Sequence, residues 1–147
     1  MTPVSTRDAS DGAHEAVTII VVHHVRLPVS DIIRSRDFYT SALGFETRLT
    51  VEEADHIIGV VVVHRSGVTL GLHAAPARAR ALFGFCSVAL SVGDRSDLTS
   101  WCEYLDTLGV SHSPPTEGHV GWYVQVPDPD GLVIELHTSG NITATGA

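Results

Sequence analysis

At 147 residues, 44% of them hydrophobic, the chain can fill the core of one domain or of two half-size modules, which excludes a disordered chain. Its net charge of −8, from 17 acidic and 9 basic residues, argues against nucleic acid or an anionic membrane as partner. No apolar run approaches the roughly 18 residues of a membrane span, and Cys86 and Cys102 show neither metal nor redox spacing, so a reduced, cytoplasmic setting is expected.

Residues 1–16 are rich in Ser, Thr, Asp and Ala and are expected to form a flexible tail. Residues 17–29 are apolar and β-branched, which predicts a buried strand. Ser30 or Asp31 caps a helix whose apolar face carries Ile32, Ile33, Phe38, Tyr39 and Leu43, and Gly44 suits its C′ position. Residues 45–52 alternate as a strand should. Residues 57–63 and 67–73 predict a hairpin turning through Arg65-Ser66-Gly67. Residues 75–84 are a linker or short helix. The order then repeats: a strand at 85–92, a helix from Ser96 to Leu108 closed by Gly109, and a short strand near 110–113. Strands at 120–126 and 132–138 follow, joined by Asp128-Pro129-Asp130-Gly131, a strong hairpin turn. Each half is βαβββ. The prediction is one domain over 17–138, made of modules 17–74 and 85–138, with a second flexible tail at 139–147.

The two halves also match residue for residue. Asp31 corresponds to Asp94, Leu43-Gly44 to Leu108-Gly109, and Gly67, Leu72 and His73 to Gly131, Leu136 and His137. Two mismatches stand out: His24 aligns with Ser87, and Gly71 with Glu135. Strand alternation assigns the faces. Val25, Leu27, Val29, Leu132, Ile134 and Leu136 should pack on the helices. The opposite faces then carry His24, Arg26, His73, Tyr123, Gln125, Glu135 and His137, a set too polar for a core and suited to a cavity. Cys86 should point away from this set, to the side opposite Ser87.

The opening His-Val-x-Leu-x-Val-x-Asp, the Phe-Tyr-x-x-x-Leu-Gly-Phe helix end and Asp-Pro-Asp-Gly-x-x-x-Glu-Leu together resemble the vicinal oxygen chelate superfamily. That group includes glyoxalases, extradiol dioxygenases, fosfomycin-resistance transferases and bleomycin-resistance proteins. The resemblance covers about residues 17–137. It implies an α+β fold of paired βαβββ modules in a cupped, half-open barrel with helices outside, a small-molecule ligand and a homodimer. In the superfamily's enzymes it also implies a divalent metal held by first-strand and last-strand residues. Carried over, His24 and Glu135 occupy metal-ligand positions, whereas Ser87 and Gly71 stand where further ligands would be. The implied metal set is incomplete, and fewer than three protein ligands seldom hold a catalytic metal.

Plainer readings stand beside these. His24 serves equally well as a hydrogen-bonded cavity histidine. Arg26 or His73 could neutralise Glu135. His73 and His137 suit a solvent-facing rim, and a third ligand from either would shift a metal from the family position. His23, His56, His64, His112 and His119 read as surface residues, and Trp101 and Trp122 as helix packing. Three functions follow. The favoured one is a metal-free protein that holds an amphipathic or aromatic metabolite or drug, as in antibiotic resistance. Arg26, His73, Ser87, Tyr123, Gln125 and His137 would bind the ligand, with no cofactor. The alternative is a metal-dependent lyase, isomerase, transferase or dioxygenase with an altered ligand set, in which Glu135 is catalytic. The third is a scaffold for assembly. The sequence leaves open which molecule binds, whether a metal is loaded, and whether the modules pair within one chain or between two.

Overall fold

The computed structural model describes residues 16–140, so the expected tails lie almost wholly outside the described residues. The element order is β1 (Val25–Val29), α1 (Ile32–Leu43), β2 (Glu46–Glu53), β3 (His56–Val63), β4 (Thr69–Ala74), α2 (Pro76–Ala81), β5 (Cys86–Gly93), α3 (Arg95–Thr107), β6 (Thr116–Gly118), β7 (Gly121–Pro127) and β8 (Val133–Thr138). The first module forms a mixed sheet of order β1-β4-β3-β2 and the second a matching sheet of order β5-β8-β7-β6. In each, the edge strand that opens the module runs parallel to the module's last strand, and the other pairs are antiparallel. This is the expected α+β architecture. Among the described residues the sheets are open and separate: β1 and β5 are free edges, with no ladder joining them.

Local chemistry sets the boundaries. Asp31 caps α1 by accepting a hydrogen bond from the Arg34 backbone N–H at 3.1 Å, and Gly44 ends it with φ of +77°, a conformation that favours glycine. At α3, Asp94 and Asp97 form a reciprocal capping box at 3.0 and 2.9 Å. Two expected strands differ. Only Val25–Val29 pairs within 17–29, because no strand lies beside residues 17–24, which leaves Ile19 and Ile20 about nine-tenths exposed. Residues 110–113 form no strand. Ser113 donates its N–H to Gln125 O at 2.9 Å, but its hydroxyl accepts the return bond from Gln125 N at 2.7 Å, so no regular ladder starts before Thr116. The segment expected as a linker or short helix contains α2.

Of the helix-facing side chains predicted from alternation, Leu27, Val29, Leu132, Ile134 and Leu136 are nearly inaccessible and Val25 is partly buried; with Leu70, Leu72, Val124 and Val126 they form one core across both modules. The seam between modules is built from these helix sides. Leu43, Phe45 and Val68 face Leu90, Val92, Trp101 and Leu136 across a cleft of about 270 Å³, and the Tyr104 hydroxyl donates to Ser41 O at 3.2 Å.

A buried polar latch fixes the seam. The Tyr39 hydroxyl in α1 donates to Asp128 Oδ2 at 2.8 Å, while Asp128 Oδ1 accepts from the N–H groups of Asp130 and Leu132 at 2.8 and 3.0 Å. Burial raises the Tyr39 hydroxyl's pKa, and the adjacent Asp128 carboxylate raises it further. Burial also raises the Asp128 carboxyl, against the stabilising pull of its three donors. Around this pair, Ser30 donates its N–H and hydroxyl to Asp130, and Arg34 reaches Pro129 O at 3.2 Å. The start of α1 thus clamps the β7–β8 turn. Tyr39→Phe strips a buried carboxylate oxygen of its donor and should cost about 1–3 kcal/mol. Urea denaturation should show this as a lower midpoint with unchanged slope.

His112 ties α3 to the loop before β6. Its Nε2 lies 2.8 Å from Asp106 Oδ1 and its Nδ1 2.7 Å from Ser113 O. Two acceptors call for two N–H groups, hence the imidazolium. The Ser113 carbonyl first, and then Asp106, raise its pKa above the ordinary 6.5, against a lowering by burial. A group whose pKa is higher in the folded state contributes stability that is complete below its unfolded value and is lost as pH rises through the folded value. The denaturation midpoint should therefore decline as pH is raised past 6.5, and His112→Ala should remove that component.

Candidate functional site

The open face of the first sheet carries His24, Arg26 and His73. Arg26 lies opposite Gly71, and Pro28 opposite His73, in the parallel β1–β4 pair. Gly71 has a specific role there. A Cβ at this position would sit 3.3 Å from the His24 ring and 3.8 Å from Arg26 Cγ. A side chain at position 71 would crowd the His24 imidazole, which would have to shift by a few tenths of an ångström. His24 Nδ1 is itself 2.8 Å from His23 Nδ1, with the rings edge to face, so one imidazole donates to the other. The cavity of about 430 Å³ beside His23, His24 and Arg26 is lined only by residues of the first module.

The open face of the second sheet carries Tyr123, Gln125, Glu135 and His137. Gln125 pairs with Glu135 and Tyr123 with His137 in the β7–β8 ladder. The Tyr123 and His137 rings stack at 6.0 Å between centroids, 14° from parallel. Glu135 is flanked by His137 Nε2 at 4.0 Å and by the Cys86 thiol, which donates to Oε2 at 3.7 Å. Burial first, and then Glu135, raise the Cys86 thiol pKa, so the thiol remains a neutral donor.

Cys86 departs from the alternation expectation. The β5–β8 register shifts between Cys86 and Val88, and this irregularity brings Cys86 to Glu135. Ser87 turns its hydroxyl to Val133 O at 3.3 Å. Neither Arg26 nor His73 neutralises Glu135 within the chain, whose polar neighbours are Cys86 and His137 of its own module. The structure thus brings the predicted site residues together as two sets: His24, Arg26 and His73 on one sheet, and Tyr123, Gln125, Glu135 and His137 on the other. Trp101 packs against the core edge-on to Tyr104, and Trp122 carries the Arg95 guanidinium 3.6 Å above its ring.

A family described as "Glyoxalase/Bleomycin resistance protein/Dioxygenase superfamily" matches residues 21–136. The chain belongs to this superfamily. Solved structures agree on the fold. A glyoxylase/bleomycin resistance protein/dioxygenase domain from Frankia sp. EAN1pec has a TM-score of 0.69 at 23% identity, covering 85% of this chain and 95% of that one. TnmS3, an antibiotic binding protein from Streptomyces sp. CB03234, gives 0.64 at 24% identity, with 83% and 98% covered. The fosfomycin resistance protein FosX from Listeria monocytogenes gives 0.65 at 17% identity, with 83% and 95% covered. No curated protein matches the chain.

Superfamily members often use a divalent metal, and the described side chains form no ready three-ligand group for one. Among the described residues no three His, Cys, Asp or Glu side chains converge on a common point. His24, just before β1, and Glu135, on β8, belong to different modules, a Cβ at position 71 would crowd the His24 ring, and the Ser87 hydroxyl is engaged with a backbone carbonyl. No described helix is long and apolar enough to cross a membrane.

Proposed function

We propose that this protein binds an amphipathic or aromatic metabolite or drug without a resident metal. The ligand would lie between the open face of the first module of one copy and the open face of the second module of another. The observation that carries the reading is the split of the polar residues over two sheets whose helix sides are joined at the seam. Each face is half a cup.

Several features support a second copy as the other half. β1 and β5 are unpaired edges bordering the two polar faces, and unpaired edges invite strand addition. Val17, Ile19, Ile20, Val21 and Val22 form an exposed apolar run beside β1, and Phe83 and Phe85 are exposed just before β5. Contiguous apolar surface of this kind marks an interaction site. Charge also matches: the first face offers Arg26 and histidines, the second offers Glu135. Within the cup, Tyr123 and His137 would stack on an aromatic ring, and Gln125, Glu135 and Ser87 would orient polar groups. A drug-like ligand is the class suggested by TnmS3, which is named for antibiotic binding, and by FosX, named for fosfomycin resistance. The free thiols Cys86 and Cys102 suit a reducing cytoplasm.

Two measurements test the reading. Light scattering should give twice the 15.7 kDa chain mass at micromolar concentration, and a monomer would contradict the shared cup. Protein purified without chelator should carry well under one equivalent of Zn, Mn, Fe or Ni, and its affinity for an aromatic ligand from a thermal-shift screen should survive EDTA. Stoichiometric metal lost on His24→Ala or Glu135→Ala would instead establish the metal-dependent enzyme, with Glu135 as ligand or proton acceptor.

A further inference from the structure

At the other end of the first module's open face lies a second cavity of about 450 Å³, lined by Arg26, Pro28, His73, Arg78, Ala81 and Leu82. It shares Arg26 and His73 with the cavity beside His24, so the two form one continuous surface. Its composition is unusual for this chain. Acidic residues outnumber basic ones 17 to 9, yet two arginines and a histidine line the cavity and no Asp or Glu does. Arg34 and Arg36 form ion pairs with Asp130 and Asp37. Among the described residues, Arg26 and Arg78 have neither an ion pair nor a side-chain hydrogen bond; the exposed Arg48, Arg65 and Arg80 also lack them, but Arg26 and Arg78 are the two that line one cavity together.

Two like charges at one cavity repel each other, and in a protein this acidic, carboxylates to neutralise them would be easy to place. Their absence makes sense if the counter-charge arrives with a ligand. We infer that the cavity between β1, β4 and α2 is an anion subsite, in which Arg26 and Arg78 hold a carboxylate or phosphate carried by the bound small molecule. The inference rests on the proposed cup and specifies its ligand class. A guanidinium presents paired N–H donors that match either anion in a two-point fashion. His73, on β4 beside β1, lines the same cavity and adds a third donor. Pro28, Ala81 and Leu82 supply an apolar wall for the atoms next to the anionic group. The ligand's other end would then extend along the face, past His24, toward the partner copy's Tyr123 and Glu135. The subsite gives the cup a polarity: anion at α2, aromatic or donor-bearing end at the second module.

The test uses three compounds of one shape, 2-naphthoate, 2-naphthyl phosphate and 2-naphthamide, titrated into the full chain by calorimetry. At least one of the two anions should bind at least about tenfold more tightly than the amide, and added salt should narrow the gap. The tighter anion identifies the group the subsite takes. Arg26→Gln and Arg78→Gln should each bring anion affinity down toward that of the amide while leaving the amide unchanged. Arg48→Gln, on exposed β2, should change neither, and thermal melts should show all three variants folded. Equal binding of amide and anions, or anion binding indifferent to Arg78→Gln, would overturn the subsite and leave the shared cup standing. Failure of all three compounds to bind would overturn both.

Discussion

The hydrogen bond from Tyr39 to Asp128 decides how the two halves of this chain sit together. It joins the first module's helix to the second module's hairpin turn, in a place from which water is excluded. A buried carboxylate with no cation beside it is tolerable only if its lone pairs are met, and here one hydroxyl and two backbone N–H groups meet them. That requirement is directional in a way that apolar packing is not. The core can accept small shifts, whereas the latch accepts one placement of α1 against the β7–β8 turn. Asp130, one turn position on, repeats the restraint with Ser30.

With the modules locked helix side to helix side, their polar faces have no opposite wall among the described residues. The same polar residues that would make a poor core are therefore spread over two surfaces of different character. The first is basic and carries imidazoles. The second carries one carboxylate, a stacked Tyr–His pair and a neutral thiol. Separate halves of opposite charge are what a symmetric pair of chains would bring together twice, once at each site. The lack of a three-ligand group among the described residues has a counterpart in the same geometry. Glycine at position 71 admits the His24 ring, and the β5 irregularity turns Ser87 to a carbonyl.

Much of this was legible in the sequence. The fold came from features that are local and repeated: period-two strands, Asp caps, Gly stops and the Asp-Pro-Asp-Gly turn each state their structure within a few residues. The faces followed wherever alternation ran unbroken, as in β1, β4, β7 and β8. What escaped reading depended on partners that only the fold, and not the local pattern, supplies. Residues 17–24 have strand composition but no neighbouring strand. Ser113 has a hydroxyl that competes with its own backbone. Cys86 crosses to the Glu135 side through a register shift that nothing in Cys-Ser-Val announces. Arg78 went unnoticed because it sits in the linker, and only the packing of α2 beside β1 places it near Arg26. His112 gave no hint of its two acceptors: Ser113 adjoins it, and the end of α3 brings Asp106 to its other nitrogen.

The claim most exposed to refutation is that the cup is made by two chains. Cys86 marks the second module's polar face, and His24→Cys would place a thiol on the first. In a chain that also carries Cys102→Ala, a short bismaleimide at alkaline pH should link these two positions between copies, giving a covalent dimer under denaturing conditions that does not form when either thiol is replaced. A link formed within one chain, at monomer mass, would show that the modules close on each other and would contradict the account.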